Sequence, residues 1–216
     1  MIVPFRKKHF TLSPLCILQY KKITFPVLFL LTLASFLFAD KPFSLFFQSI
    51  PTEIKACFIF IERLFSPFFW ALVFPSLFFF VRFIKRKEKK SRKFWYLSVA
   101  FPASILSCKI LEVLFGRAYP EWLFTHYEAH FRFFEWNPSF HSFPSLASTS
   151  IATFAICFSC ILSSKARPYL LVAGFFLSLS PALSTHAFLS DTLAGFTLAG
   201  FMSQWVFQSM RKEVSF

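Results

Sequence analysis

Long stretches without a charged side chain alternate with short basic segments along this chain. The stretches that lack Asp, Glu, Lys and Arg are Ile23–Ala39, Leu64–Val81, Phe94–Cys108, Trp136–Ser164, Pro168–Ser190 and Thr192–Met210. Most of them approach the ~20 residues that a helix needs to cross the ~30 Å hydrocarbon layer of a membrane. The pattern therefore predicts an all-α polytopic membrane protein with about six transmembrane helices.

The same pattern divides the chain into three regions. We expect a six-helix membrane domain over residues 23–210, preceded by a basic cytoplasmic arm (residues 1–22) and followed by a short cytoplasmic tail (residues 211–216). The basic start and first apolar run also resemble a secretory signal. However, Leu37 stands where cleavage after Ala39 would require a small residue, so we expect the first helix to be retained.

Two boundaries near the first helix follow from charged residues. Asp40-Lys41 is expected to end the first span. From Pro42 to Arg63 the chain mixes apolar residues with Glu53, Lys55 and Glu62, which predicts an amphipathic piece on the outer surface.

Composition and charge support a membrane protein and argue against nucleic acid as a partner. The chain is 56% hydrophobic and only 15% charged, which is low for a soluble domain. The net charge of +13 is concentrated in loops that alternate along the chain, including Arg82–Lys93. Under the positive-inside rule this distribution places both termini in the cytoplasm. We interpret the charge as a topology signal, in an integral membrane protein of the bacterial inner-membrane type.

Histidine and cysteine residues suggest possible metal ligands, but no metal or cofactor is expected. His126 and His130 are four residues apart, as a helical metal pair requires, yet no third ligand follows by spacing and HYEAH differs from the H-E-x-x-H pattern. A solvated helical lid is the alternative. Cys157 and Cys160 lie in an apolar run and are expected to pack there, and the five cysteines form no disulfide framework.

Polar groups concentrate at one side of the predicted membrane. Lys109 and Glu112, three residues apart within a span, share a helix face and are expected to pair. Phe143-Pro144-Ser145 is expected to start a helix with Pro144 in the first helical position, and a helix start suits an anion. Topology brings Lys109–Pro120, Phe143–Ala147 and Pro181–Asp191 to the outer face, which together predict a phosphate pocket at headgroup level.

Three ordered motifs in these segments resemble the type 2 phosphatidic acid phosphatase family, which includes bacterial lipid A and undecaprenyl-diphosphate phosphatases. The family patterns are Lys-x6-Arg-Pro, Pro-Ser-Gly-His and Ser-Arg-x5-His-x3-Asp. The corresponding stretches here are Glu112–Pro120, Pro144–Ala147 and Ser180–Asp191, and the flanking FGRAYP, SFPS and FLSDTLAG also match. The resemblance covers roughly residues 65–208 and implies the helical bundle of that family.

The resemblance also implies a chemistry that this chain cannot perform at the aligned positions. In the family, the third-motif His forms a phosphohistidine with help from the Asp, the second-motif His protonates the leaving group, and no metal is needed. Here the two His positions are Ala187 and Ala147, and the Lys and Arg positions are Glu112, Tyr119 and Pro181. Alanine can neither attack nor transfer a proton.

Neighbouring residues define a displaced site as an alternative. His186, Asp191 and His141 would be its catalytic residues, and its phosphate-binding residues would be Lys109, Arg117 and Ser145. Each would have to act from a shifted position, and catalysis depends sharply on placement.

Three hypotheses follow. The leading one is a catalytically degenerate protein of this fold that binds a phosphorylated lipid headgroup or a membrane partner at the outer face. The second is an active, metal-independent lipid phosphatase or phosphotransferase that uses the displaced residues. The third is a six-helix transport or structural membrane protein with chance similarity.

Overall fold

The computed structural model describes residues 21–84, 88–126, 131–162 and 165–214, and these residues form helices joined by loops. In chain order the helices are α1 (Lys21–Ala34), α2 (Asp40–Gln48), α3 (Thr52–Leu64), α4 (Pro67–Phe79), α5 (Glu88–Phe115), α6 (Pro120–His126), α7 (Leu146–Ile161), α8 (Arg167–Ser178), α9 (Ser180–Leu183) and α10 (Leu189–Val214). Short π-helical segments, Ser35–Ala39 and Phe80–Ile84, follow α1 and α4, and a 3-10 turn covers Pro138–Phe140. The predicted all-α class is confirmed.

Several helices have the length and composition of membrane spans. In the described part of the chain, three apolar stretches are long enough to cross a membrane: Phe25–Gln48, Thr52–Ile84 and Lys93–Phe115. Shorter apolar helices cover Leu146–Ser159 and Arg167–Leu183. The chain is thus a helical protein of the integral membrane type.

The first helix does not end where the sequence predicted. It passes from α1 through the π-helical segment Ser35–Ala39 into α2 and ends at Gln48, eight residues beyond Asp40. The prediction that Asp40-Lys41 terminates the span was wrong because Asp40 does not leave for water. Its carboxylate is buried and ion-paired inside the protein, so the charge does not stop the helix.

The core lies among helices from both halves of the chain. Helix α10 packs against α7, α5 and α1, and α7 also packs against α8. An apolar cluster joins α4, α5, α7 and α10, and its buried members are Phe74, Tyr96, Leu97, Ala100, Phe101, Ile105, Cys157, Val206 and Phe207. Burial of Cys157 agrees with its predicted packing role.

Close contact between α7 and α10 depends on Gly195. A Cβ atom at this position would lie 2.7 Å from the Ser145 carbonyl oxygen and 2.9 Å from Thr149 Oγ1. Gly195 therefore allows the two helices to approach closely. Gly200 differs, because a Cβ there would meet the Phe25 ring at an ordinary 3.7 Å.

Phenylalanine covers much of the outer surface of the first four helices. Phe29, Phe38, Phe60 and Phe69 are each more than half exposed. In water such a surface would be costly, whereas lipid tails solvate it without penalty. This placement accounts for part of the 37 phenylalanines in the chain.

Parts of three sequence predictions fall outside the described residues. The described residues do not include residues 1–20 of the basic arm, residues 85–87 of the basic turn or residues 127–130 of the polar loop. His130 of the predicted histidine pair lies in the last of these ranges. Within the predicted tail, helix α10 continues as far as Val214.

Candidate functional site

A glycine turn brings Arg117 into the protein. Gly116 has φ +54°, and its N–H donates to the Glu112 carbonyl at 2.9 Å, which closes the end of α5. A Cβ at Gly116 would lie 1.7 Å from the Arg132 carbonyl oxygen. Arg117 then runs between the two ends of the polar loop, with bridge pairing to Phe131 and His141. The backbone that carries the Arg117 side chain is therefore held in place by the chain on both sides.

Arg117 lies between two aspartates. Its Nη2 donates to Asp40 Oδ2 at 2.7 Å, and its Nη1 donates to Asp191 Oδ1. The three side chains are at most 3% exposed. Buried charges of this kind remain in a protein only when they are paired and hydrogen-bonded. The cluster holds one cation and two carboxylates, a formal charge of −1.

Ser190, in the first turn of α10, links Arg117 to Asp40. Its Oγ accepts from Arg117 Nη1 at 2.7 Å and donates to Asp40 Oδ2 at 2.6 Å, while its backbone N–H donates to Asp40 Oδ1 at 2.9 Å. The N-terminal N–H groups of a helix have no partner within the helix. Asp40 supplies a negative charge to that end of α10, as the helix dipole favours.

Aromatic rings close the cluster. The Arg117 guanidinium carbon lies 4.0 Å from the centroid of Phe188, 5.1 Å from that of Phe36 and 5.3 Å from that of Phe131. A guanidinium over an aromatic face is stabilised by the ring quadrupole. These rings come from three segments of the chain, and with the aspartates they leave Arg117 almost without solvent contact.

Asp191 is held by the neighbouring loop as well as by Arg117. Ser142 Oγ and the Phe188 N–H, the latter at 3.2 Å, both donate to its Oδ2. The Asp191 carbonyl oxygen accepts from the Ser145 N–H at 3.0 Å. Arg117, Ser145 and Asp191, which lie far apart in the sequence, therefore meet at one place.

Helix α7 begins one turn from this cluster. Ser145 is its N-cap residue and accepts from the Ser148 N–H at 3.3 Å. The predicted helix start is present, but the placement of Pro144 was wrong. The first helical residue is Leu146, so Pro144 precedes the cap instead of occupying the first helical position.

Lys109 and Glu112 form the predicted pair, with 2.6 Å between Nζ and Oε2. The Lys109 side chain is 40% exposed, whereas that of Glu112 is 1% exposed. A buried carboxylate on α5 is thus neutralised by a lysine that reaches toward the surface. Of the two cations predicted to bind phosphate, Lys109 and Arg117, Lys109 is therefore the more accessible to solvent.

The two histidines predicted to act in catalysis have other partners. His186 Nδ1 lies 3.0 Å from Glu62 Oε2, and Ser184 Oγ donates to the other oxygen of the same carboxylate at 2.6 Å. His141 Nε2 lies 3.1 Å from the Glu135 carbonyl oxygen. Neither histidine makes a hydrogen bond to Asp191 in the described structure.

Tyr119 lies at a position where the family motif has an arginine. Its hydroxyl donates to the His141 carbonyl oxygen at 3.0 Å. Burial raises the pKa of Tyr119 to about 12, so the side chain stays a neutral donor. It ties the loop to the end of α5 and supplies no charge for a phosphate.

Sequence reasoning missed the partners that define the cluster. Asp40 was interpreted as the end of a span, and Ser142, Ser190 and Glu62 were given no role. One signal was available for Asp40, because an ionisable residue in an apolar stretch usually faces a protein interior. Its partners could not be read from spacing, since Asp40 and Ser190 are 150 residues apart.

A comparison with protein families matches more than half of the chain. The model of the PAP2 superfamily matches residues 93–215, which run from α5 into the end of α10. The chain belongs to the PAP2 superfamily. Neither a curated protein nor a solved structure matches it significantly. The matched region contains Arg117, Ser145 and Asp191 but not Asp40, so the first helix brings a carboxylate from outside the PAP2 match.

Two alanines, Ala187 and Ala147, lie in the segments that the sequence analysis compared with the family motifs. Ala187 is 3% exposed, and its N–H and that of His186 both donate to the Pro181 carbonyl oxygen at 2.9 Å. Ala147 lies in the first turn of α7 and is partly buried. Neither side chain has an atom that can attack phosphorus or carry a proton. Within the described ranges, no group of three His, Cys, Asp or Glu residues is placed to hold a metal.

Proposed function

We propose that this PAP2-superfamily protein is catalytically degenerate and binds a phosphorylated membrane lipid without hydrolysing it. In this proposal the chain spans the membrane six times, with both termini in the cytoplasm of a bacterial cell and the Arg117 cluster toward the outer face. One observation carries the proposal above the others. The site keeps a buried arginine beside Asp191, while alanines stand at both motif positions that carry histidine in the family.

The partners of the remaining histidines support the loss of chemistry. A histidine nucleophile needs an orienting carboxylate and an open approach to phosphorus. The Asp191 carboxylate is already engaged by Arg117 and Ser142, and the ring of His186 is engaged by Glu62. A displaced His186–Asp191 pair would require both sets of contacts to break.

The buried position of Arg117 supports binding. A guanidinium can hold a phosphate through two parallel N–H donors, which is a common use of buried arginine. The adjacent first turn of α10 adds a backbone N–H and a hydroxyl from Ser190. These donors suit a lipid headgroup at the membrane surface better than a soluble substrate, because many of the exposed side chains of the first four helices are apolar.

The test compares turnover with binding in the same preparation. Detergent-purified protein is incubated with phosphatidate, phosphatidylglycerophosphate, undecaprenyl diphosphate or lipid A in the presence of EDTA, and phosphate release is measured. Binding of the same lipids, and of the phosphodiester phosphatidylglycerol, is measured by native mass spectrometry. We expect saturable binding of phosphorylated lipid and no release.

Two results would contradict the proposal. Metal-independent release that disappears in both His186→Ala and Asp191→Ala would establish an enzyme with a displaced site. Absence of binding by folded protein to every phosphorylated lipid would favour a structural or transport role instead.

A further inference from the structure

We infer that Asp40 is a built-in occupant of the headgroup site, and that the lipid which displaces it is a monoanionic phosphodiester. This inference rests on the proposed function, because it names the lipid class and the residue that competes with it. The ligand class is a glycerophospholipid whose phosphate carries one negative charge, such as phosphatidylglycerol.

The contacts of Asp40 are those that a phosphate would make. Its two oxygens accept from Arg117 Nη2, from the Ser190 N–H and from the Ser190 hydroxyl, at 2.6 to 2.9 Å. An arginine fork next to the N-terminus of a long helix is a favourable anion site. Arg117 Nε adds a further donor, since it is buried and has no hydrogen-bond partner among the described residues.

The two aspartates differ in how firmly they are held. Each carboxylate accepts three hydrogen bonds, but those of Asp191, which lies within α10, come from three separate residues, Arg117, Ser142 and Phe188. Asp40 reaches the site from the first helix, and its hydrogen bonds are to Arg117 and Ser190. Asp191 is therefore a fixed part of the binding site, and Asp40 is the carboxylate that a lipid phosphate can replace.

The first helix contains an irregular segment that can change the direction of the Asp40 side chain. The π-helical segment Ser35–Ala39 ends immediately before it. Such a segment contains one residue more than an α-helical turn, and π-bulges occur often at functional sites. Reversion to α-helix would rotate the residues beyond it by about 100°, which is enough to turn Asp40 away from Arg117.

An apolar groove along the same pair of helices provides room for a lipid tail. A cavity of about 670 Å³ lies between α1 and α10, and Phe29, Thr32, Phe143, Thr197 and Phe201 are among its lining residues. Thr32 and Thr197 are roughly 10 Å along their helices from Asp40 and Asp191. Phe143 follows Ser142, which donates to Asp191. A phosphate at Arg117 would thus have its acyl chain beside this groove.

Charge selects the diester over the monoester. The buried cluster contains one guanidinium and two carboxylates. Exchange of the Asp40 carboxylate for a phosphodiester replaces one negative charge with one negative charge. A phosphomonoester near pH 7 or above carries close to two charges, so it would add a further uncompensated charge to a buried site.

The test uses full-length protein in dodecyl maltoside, a detergent without phosphate. Affinities for dioleoyl phosphatidylglycerol, dioleoyl phosphatidate and dioleoylglycerol are measured at pH 8 by native mass spectrometry. The variants are Asp40→Asn and, as a matched loss of one carboxylate, Glu53→Gln, which is exposed on α3. We expect the wild type to bind phosphatidylglycerol more tightly than phosphatidate and to bind dioleoylglycerol weakest.

Asp40→Asn should bind phosphatidylglycerol at least about tenfold more tightly than the wild type, since a competing state that is more than nine-tenths occupied lowers the apparent affinity by that factor. Glu53→Gln should match the wild type. Equal affinities in Asp40→Asn and Glu53→Gln, with lipid still bound, would overturn the inference and leave the proposed function standing. If neither the wild type nor Asp40→Asn binds any phosphorylated lipid, both fail.

A second measurement avoids reliance on a variant. Wild-type protein is labelled with a phosphatidylglycerol analogue that carries a photoactivatable diazirine on its headgroup, and the modified peptides are mapped. Label in residues 36–40, 116–118 or 186–191, or at residue 131 or 142, would support the inference. Label confined to other segments would overturn it.

Discussion

His186 and Asp191 are five residues apart, yet their side chains bind partners from different parts of the chain. The His186 ring lies 3.0 Å from Glu62 Oε2, whereas the Asp191 carboxylate is paired with Arg117. A histidine and an aspartate at this spacing would be a catalytic pair if they faced each other. The region therefore contains two separate ion pairings. One is the pair of His186 with Glu62 of α3, called here the surface clamp, and the other is the buried cluster of Arg117 with the two aspartates.

The surface clamp should make stability depend on pH. The hydrogen bond to Glu62 raises the pKa of His186 above its ordinary 6.5, and desolvation opposes the shift. A raised pKa in the folded state means that the stabilisation is fully present below pH 6.5 and is lost as pH rises through the folded pKa. We expect the thermal midpoint of the protein in detergent to decrease as the pH is raised from 6 to 8.5. The midpoint is measured by tryptophan fluorescence.

His186→Ala and Glu62→Gln should each flatten that part of the curve. The side chain of His186 is half exposed, so solvent screens the pair and the change should be small. The same pH dependence in His186→Ala as in the wild type would show that another group titrates.

Loss of Arg117 should be severely destabilising. Arg117→Met would leave the carboxylates of Asp40 and Asp191 buried without a counter-charge. Breaking a buried pair by removing one partner costs about 3–5 kcal/mol. We expect a large fall in the thermal midpoint, and partial recovery in the triple variant Asp40→Asn, Arg117→Met, Asp191→Asn. A single variant as stable as the wild type would contradict the buried cluster.

Two glycines provide a matched comparison of backbone constraint. Gly116→Ala places a side chain at φ +54° and a Cβ 1.7 Å from the Arg132 carbonyl oxygen, so we expect a loss of about 1–3 kcal/mol from backbone strain alone and more from the clash. Gly200→Ala should be tolerated, because its Cβ meets only the Phe25 ring at 3.7 Å. Thermal midpoints of both variants test this order, and equal values would refute it.

Placing histidines at positions 147 and 187 should not produce hydrolysis. In the double variant Ala147→His, Ala187→His, the second ring must enter a position that is 3% exposed, and overpacking of this kind costs about 1–3 kcal/mol. Asp191 would still be paired with Arg117 and could not orient the new histidine. We expect no metal-independent phosphate release from phosphatidate. Turnover by the double variant would show that the missing histidines alone silence the site.

The sequence by itself determined the class of protein and the local pairs. Uncharged runs predicted membrane helices because the hydrocarbon layer sets a length and excludes unpaired charge. The order of three motifs predicted the family that the matched residues 93–215 confirm. The Lys109–Glu112 pair was also predictable, since residues three apart share one helix face wherever that helix lies.

Only the tertiary structure decided which charges meet. Asp40 contacts Ser190 across 150 residues, and no periodicity or spacing connects two helices that pack side by side. Likewise, His186 faces Glu62 because a short turn before α10 directs its ring outward, and a change of one residue in such a turn alters direction by a large angle. Arg117, Ser145 and Asp191 were visible as candidates in the chain, but their partners Asp40, Ser142 and Ser190 became apparent only from how the first helix and the turn pack against α10.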